Sequence, residues 1–335
     1  MSGTALNDAE LERWLTARLG ARHPVSAVAT VSGGIVRTAV RGCPPEADFE
    51  IGSIAKAITG MLYTDAVGRA EVRPDTTLGE VLPLGDSPAA SVTLGDLSTH
   101  TSGLPRLPRS MQPVRKSVGL WRRGTNPYGE SVDDLLQQAR GVRLGAPRPR
   151  YSNLGFELLG HAVASAAGST YPELLRTRLS VPLGLDSMYA PATTGELSAH
   201  AVIGRSRSGR LREPWTGAAI APAGGIRSTV GDLAALAQAL LVGTAPGHSA
   251  LDPVRSFAGR TRIGAGWLTL DARGRTVTWH NGGTGGFRSW LGLDRAAGTA
   301  VVVLSASSVS VDGAGFTLLL ERHTRDAAGT GSAEN

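Results

Sequence analysis

Ser53 and Lys56 stand three residues apart in the segment Phe49-Glu50-Ile51-Gly52-Ser53-Ile54-Ala55-Lys56. In a helix, that spacing puts the hydroxyl and the amine on one face. A serine becomes a nucleophile when a neighbouring base takes its proton, and a lysine desolvated in an apolar helix has its pKa lowered toward that task. Arginine keeps its proton and would not serve. Among 335 residues, lysine occurs only at Lys56 and Lys116. A helix-capping serine with an unrelated lysine nearby is the plainer account of the same residues.

Two further segments carry side chains suited to the same chemistry. Tyr151-Ser152-Asn153 follows the proline-rich turn at 147–149; a phenol can shuttle a proton when a nearby cation lowers its pKa, and an asparagine amide both donates and accepts. The alternative is an N-cap formed by Ser152 or Asn153, with the tyrosine packed. Trp279-His280-Asn281-Gly282-Gly283-Thr284-Gly285-Gly286-Phe287 closes a strand. Glycines there would let an acyl group lie against the strand edge, where a free N–H can donate to an oxyanion. A glycine-rich hairpin turn bearing a surface histidine would look the same.

Other chemistries are excluded. No Gly-Lys-Ser/Thr occurs, so there is no P-loop; no His-Glu-x-x-His occurs, and one cysteine cannot build a thiolate zinc site. No cofactor and no metal are therefore expected. Cys43, in Gly-Cys-Pro-Pro, reads as a loop or half-buried residue rather than a nucleophile, because nothing beside it supplies a base. The net charge of +6, from 34 basic and 28 acidic residues, comes largely from arginine in a chain rich in alanine and glycine. No nucleic-acid partner is expected from that balance alone. No apolar run approaches the roughly 20 residues of a membrane helix. Residues 1–19, with Asp8, Glu10 and Glu12 at helical spacing, read as an amphipathic helix and not a signal peptide, so a cytoplasmic location is expected.

The elements that must position these residues follow from periodicity. Strands are expected over 25–31 and 34–40 around Ser32-Gly33, then a short extended piece at 49–51. The helix at 53–67 is apolar on most faces and belongs inside a core. Helices at 133–139, 153–167 and 171–179 fill the middle of the chain, and another is expected at 230–241. Strand patterns return at 265–270, 276–280, 288–293 and 299–305, followed by a last helix at 315–322. The resulting fold class is α+β: residues 1–70 and 223–325 build one antiparallel sheet flanked by helices, 71–222 form a mainly helical insertion, and 326–335 are a polar tail expected to be disordered.

Taken in order, the three segments resemble the signatures of the serine β-lactamase and penicillin-binding-protein superfamily: Ser-x-x-Lys, Tyr-x-Asn and Lys/His/Trp-x-Gly. The class C β-lactamase-like branch, with its esterases, D-aminopeptidases and transacylases, is the most similar, and the resemblance runs from about residue 25 to 322. Leu97-Ser98-Thr99-His100-Thr101-Ser102-Gly103-Leu104-Pro105 and Pro222-Ala223-Gly224-Gly225-Ile226-Arg227-Ser228-Thr229 add to it; His100 reads there as a structural loop residue. The resemblance implies a β-lactamase/transpeptidase-like fold in which Ser53 is the acylated nucleophile, Lys56 its activating neighbour and Tyr151 the proton relay. Asn153 would orient the lysine and the substrate, Gly282 and Gly283 would face the substrate, and the N–H groups of Ser53 and Gly283 would form the oxyanion hole. Either Lys56 or Tyr151 could be the base, because tightly coupled groups titrate as a unit.

His280 stands where β-lactamases carry a lysine, and a histidine is mostly neutral at pH 7. That substitution favours an ester, an amide or a free-amine substrate over a penicillin. The resulting expectation is a serine hydrolase that acylates Ser53 with a small-molecule ester or amide and resolves the intermediate with water. One alternative is a transacylase that resolves it with an amine or alcohol acceptor in a secondary-metabolite pathway; another is a silent ligand-binding protein. Arg106, Arg109, Arg115, Lys116, Arg122 and Arg123, with Arg143, Arg148 and Arg150, form either a solvated basic face or a dock for an anionic acyl substrate, and the same holds for Arg205, Arg207, Arg210 and Arg212.

Overall fold

The structure is a computed structural model that describes residues 6–7, 9–107 and 124–329. The amino-terminal end supplies strands β1 (Leu6–Asn7), β2 (Ser26–Ser32), β3 (Ile35–Arg41) and the short β4 (Phe49–Glu50), which pairs antiparallel with β5 (Arg227–Ser228). The carboxy-terminal end supplies β6 (Arg255–Ala258), β7 (Thr261–Ile263), β8 (Leu268–Ala272), β9 (Arg275–Gly283), β10 (Arg288–Asp294) and β11 (Thr299–Ser305). One nine-stranded sheet runs β1-β3-β2-β11-β10-β9-β8-β7-β6. The two ends of the chain meet at its centre, where β2 pairs with β11 from Ser26↔Ser305 to Ser32↔Thr299. This is the α+β arrangement expected from strands at both ends.

Period-two alternation sorts the central strands onto two cores. Val28, Trp290, Val301 and Val303 pack with Leu11, Leu15 and Leu19 of α1 (Ala9–Leu19) on one face. Ala27, Ala29, Leu291, Val302 and Leu304 face the larger core on the other. There lies α2 (Ile54–Gly68), buried without interruption from Ile54 to Tyr63. Each fully buried Ile, Leu or Met contributes about 1.5–3 kcal/mol, which anchors the helix that carries Lys56. Gly60 lets α2 settle on the 264–266 turn, since a Cβ there would fall 1.8 Å from the Ala265 carbonyl oxygen.

The middle of the chain is helical: α3 (Leu94–Ser98), α4 (Val132–Arg140), α5 (Asn153–Ala166), α6 (Tyr171–Leu175) and the one-turn α7 (Ala221–Gly224). α5 is buried from Asn153 to Ala164. α8 (Val230–Val242) packs beneath the sheet, and α9 (Asp312–Gly329) closes the opposite face.

Several boundaries differ from the periodicity. β6 and β7 form an unpredicted hairpin whose exposed strands, with a bulge between Ser256 and Ala258, carry no alternation to find. The strand expected at 265–270 begins at Leu268, because Gly266 takes a left-handed φ of +75°. The helix expected at 171–179 is α-helical only to Leu175 and continues as a wider π-helical turn over Arg176–Ser180. α9 runs to Gly329, past the expected end at 322, and residues 330–335 lie outside the described part. Among the described residues, no helix is long and apolar enough to cross a membrane.

Candidate active site

The β4–β5 pairing delivers the chain to Gly52 with a left-handed φ of +52°, a conformation in which glycine is at ease. A Cβ on Gly52 would also fall 2.5 Å from the backbone nitrogen of Gly283, and one on Gly282 would fall 1.9 Å from the Ile51 carbonyl oxygen. Ser289, paired across the ladder with Gly282, donates its hydroxyl to that same carbonyl at 2.7 Å. Gly282 therefore serves the approach of Ile51-Gly52-Ser53 to β9, and Gly283 N sits one residue from the serine. Gly282→Ala is expected to force these backbones apart, costing about 1–3 kcal/mol of stability; thermal unfolding checks this, together with a matching loss of Ser53 reactivity.

Ser53 occupies the N-cap position of α2, yet its side chain makes no capping hydrogen bond. Instead its Oγ accepts from Lys56 Nζ at 3.1 Å, and the serine lies near enough to the Tyr151 phenol to lower its pKa. The plainer account, a serine spent on its own helix end, is not what the structure displays.

Lys56 is completely buried. Nζ donates to the Ala223 carbonyl at 2.5 Å and lies 4.9 Å from the Tyr151 ring centroid. α7 is held in place to offer that carbonyl, because Thr59 of α2 donates to the neighbouring Pro222 carbonyl at 2.7 Å. Desolvation pulls the lysine down from 10.5 to about 7; the Glu157 carboxylate offsets part of this, and Arg106 adds to it. A large share of Lys56 is thus an uncharged amine at neutral pH. Burial moves the Tyr151 phenol the other way, to about 12, against the opposing pull of the nearby Ser53 hydroxyl and the Arg106 charge. The phenol keeps its proton at pH 7.

His280, on β9, is buried, and its Nδ1 donates to the Asn281 carbonyl at 2.6 Å. Burial lowers its pKa to about 4, the Asn281 carbonyl raises it partway and the Lys56 charge lowers it further, so the imidazole is neutral. Asn153 opens α5, and its amide nitrogen donates to the Tyr128 hydroxyl at 3.2 Å. Among the described residues no hydrogen bond joins it to Lys56. Ser152 is the true N-cap, accepting from Gly155 N–H at 2.9 Å while donating to the Pro105 carbonyl at 2.7 Å. Ser53, Lys56, Tyr151 and Gly283 thus gather at one point, His280 lies within electrostatic reach of Lys56, and Asn153 enters through Tyr128.

Three groups at the site escaped the sequence reading. The Ala223 carbonyl is a backbone atom, so no residue type announces it. Tyr128 buttresses Asn153 and packs edge-on against Trp215 at 4.7 Å, but its loop has no periodicity. Arg288 pairs across the ladder with Gly283, and its guanidinium would stand 2.8 Å from a Cβ placed there while donating to the Thr284 and Phe287 carbonyls. Of the arginine clusters, Arg106 is exposed with its guanidinium 5.8 Å from the Tyr151 ring centroid. Arg143, Arg148, Arg150, Arg205, Arg207 and Arg210 are exposed and Arg212 is half-buried, whereas Arg109, Arg115, Lys116, Arg122 and Arg123 lie outside the described residues.

This α+β frame, with a serine at the head of its central buried helix, is the β-lactamase/transpeptidase-like fold. A class C beta-lactamase from Rhodobacter sphaeroides superposes with a TM-score of 0.72 at 22% identity, over 89% of this chain and 93% of that one. The chain belongs to the beta-lactamase family, whose model matches residues 11–323. It is 25% identical over 348 residues to an unguisins hydrolase of Aspergillus campestris, a match across 92% of this chain but only 62% of that protein's length. It is 26% identical over 293 residues to penicillin-binding protein 4 of Amycolatopsis lactamdurans, across 78% of this chain and 73% of that protein.

Proposed function

We propose that the protein acylates Ser53 with an ester or amide of a small molecule and releases the acyl group to water. The carrying observation is the placement of a fully buried Lys56 amine 3.1 Å from Ser53 Oγ, with its pKa near 7. Lys56 takes the serine proton as Oγ attacks the carbonyl carbon. Tyr151, protonated and beside Ser53, passes a proton to the departing oxygen or nitrogen. The backbone N–H groups of Ser53 and Gly283 receive the charge that develops on the carbonyl oxygen. Water then attacks the ester, and the same groups run in reverse.

A neutral His280 leaves the position without a permanent positive charge, which favours ester and amide substrates over the carboxylate-bearing penicillins. Arg106 over the Tyr151 ring and Arg288 beside Gly283 support an anionic group elsewhere on the substrate. The test uses a panel of p-nitrophenyl acyl esters, with intact mass to find the Ser53 acyl adduct and product analysis with and without an added amine. Free acid as the sole product supports hydrolysis; amide formed in proportion to the amine, with slow release to water, assigns a transacylase instead. No adduct with any ester or with a fluorophosphonate would leave a ligand-binding protein.

A further inference from the structure

His100 follows α3 in the Ser98-Thr99-His100-Thr101-Ser102 turn, 2% exposed, with a φ of +58°. Only Ala70 and Arg273 among the other described non-glycine residues share that left-handed backbone. From there His100 grips the chain on both sides of the site tyrosine. Its carbonyl oxygen accepts from the Arg150 N–H at 2.8 Å, and its Nδ1 accepts from the Ser152 N–H at 3.2 Å. Its ring lies 4.6 Å from the Tyr151 ring at a tilt of 37°, backed by Phe156 at 4.6 Å and Phe257 at 5.9 Å. One residue from a separate element therefore touches residues 150, 151 and 152.

We propose that His100 is the positioning residue that holds the Tyr151 phenol against Ser53. The inference rests on the reading that Tyr151 relays the proton of an acyl-enzyme reaction. From this left-handed turn the carbonyl and the side chain both reach the same tripeptide. An Nδ1 that accepts requires the neutral ring with its proton on Nε2. Burial and the charges of Lys56 and His280 hold the imidazole in that neutral form by keeping its pKa well below 6.5. A phenol displaced by an ångström loses its alignment with Oγ, and misplacements of that size cost rates by about 10²-fold.

Two variants separate anchoring from general packing. Asparagine tolerates a left-handed backbone, and its Oδ1 is as many bonds from Cα as the histidine Nδ1, so His100→Asn keeps the acceptor without the ring. His100→Gly keeps the backbone and removes both. Ser53 acylation by a fluorophosphonate is timed for each, in the wild-type and Tyr151→Phe backgrounds, with thermal midpoints alongside. In parallel, carbon-13 tyrosine spectra are recorded without probe; with five tyrosines in the chain, the Tyr151 signal is assigned by its loss in Tyr151→Phe.

His100→Gly is expected to acylate about 10- to 100-fold more slowly than wild type, to have little further effect once Tyr151 is Phe, and to shift or broaden the Tyr151 signal. His100→Asn is expected to recover most of the rate. Equal slowing in both backgrounds, an unchanged Tyr151 signal in His100→Gly, or an asparagine variant no better than glycine would each overturn the proposal. A wild-type chain that never labels at Ser53 sinks the acyl-enzyme reading, whereas the unlabelled tyrosine spectra still decide whether His100 holds the phenol.

Discussion

Ser53→Ala abolishes the covalent adduct with fluorophosphonate and with activated esters, and turnover falls by about 10³-fold or more, to the residue of rate that binding and backbone donors alone support. The fold should barely notice. Ser53 Oγ contributes no capping bond to α2, its partner being Lys56, so the loss of a cap, typically about 1 kcal/mol, does not apply. Intact mass after probe treatment, turnover with a p-nitrophenyl ester and a thermal melt check all three statements. Unchanged turnover in this variant would remove the serine from the mechanism, whatever the melt showed.

Lys56→Met is expected to have the next largest effect, a loss of about 10²–10⁴-fold in acylation from removing the general base. Methionine fills a similar volume without the amine, so the comparison isolates the proton acceptor. In the wild type the acylation rate should rise with pH through about 7 as Lys56 loses its proton, then level off, because Tyr151 keeps its own until about 12. The rising limb should vanish in Lys56→Met. A limb that survives the substitution assigns the base elsewhere.

The same lysine makes a stability prediction whose sign follows from linkage. Its folded pKa of about 7 lies below the ordinary 10.5, so between those values the unfolded chain binds more protons and wild-type stability rises with pH. Below about pH 7 both states are protonated and that increment is absent; above about 10.5 it is complete. At roughly 1.4 kcal/mol per unit, it amounts to at most about 5 kcal/mol. Denaturant melts of wild type and Lys56→Met across pH 7 to 10 should therefore show the wild type gaining on the variant. Parallel curves would mean that Lys56 titrates normally and is not the desolvated amine the mechanism needs.

Arginine at position 56 would be no substitute, and this limits how far composition can be read. The +6 charge of the chain says little about its chemistry, because exposed guanidiniums at Arg143, Arg148 and Arg207 are solvated and weakly coupled to the site. One amine out of water carries more information than that whole excess. Its neighbour Glu157, one turn beyond Asn153 in α5, moderates the lysine pKa, although nothing in the local pattern marks it as more than a glutamate in a helix.

Read alone, the chain specifies its fold class and the serine–lysine pair, because both are local. Ser53 and Lys56 share a face whatever surrounds the helix, and strands such as β11 and β10 show themselves by runs of apolar or alternating residues that no helix explains. The exposed β6–β7 hairpin carries no such pattern and stayed hidden. Distances between remote segments were equally out of reach. That Gly282 makes room for the Ile51 carbonyl, that Asn153 binds Tyr128, and that Ala223 offers its carbonyl to Lys56 depend on segments more than 20 residues apart being packed together. So does the pKa of Lys56: the residue type permits a neutral amine, but only the walls supplied by α5, α7 and β9 remove the water that would otherwise keep it charged.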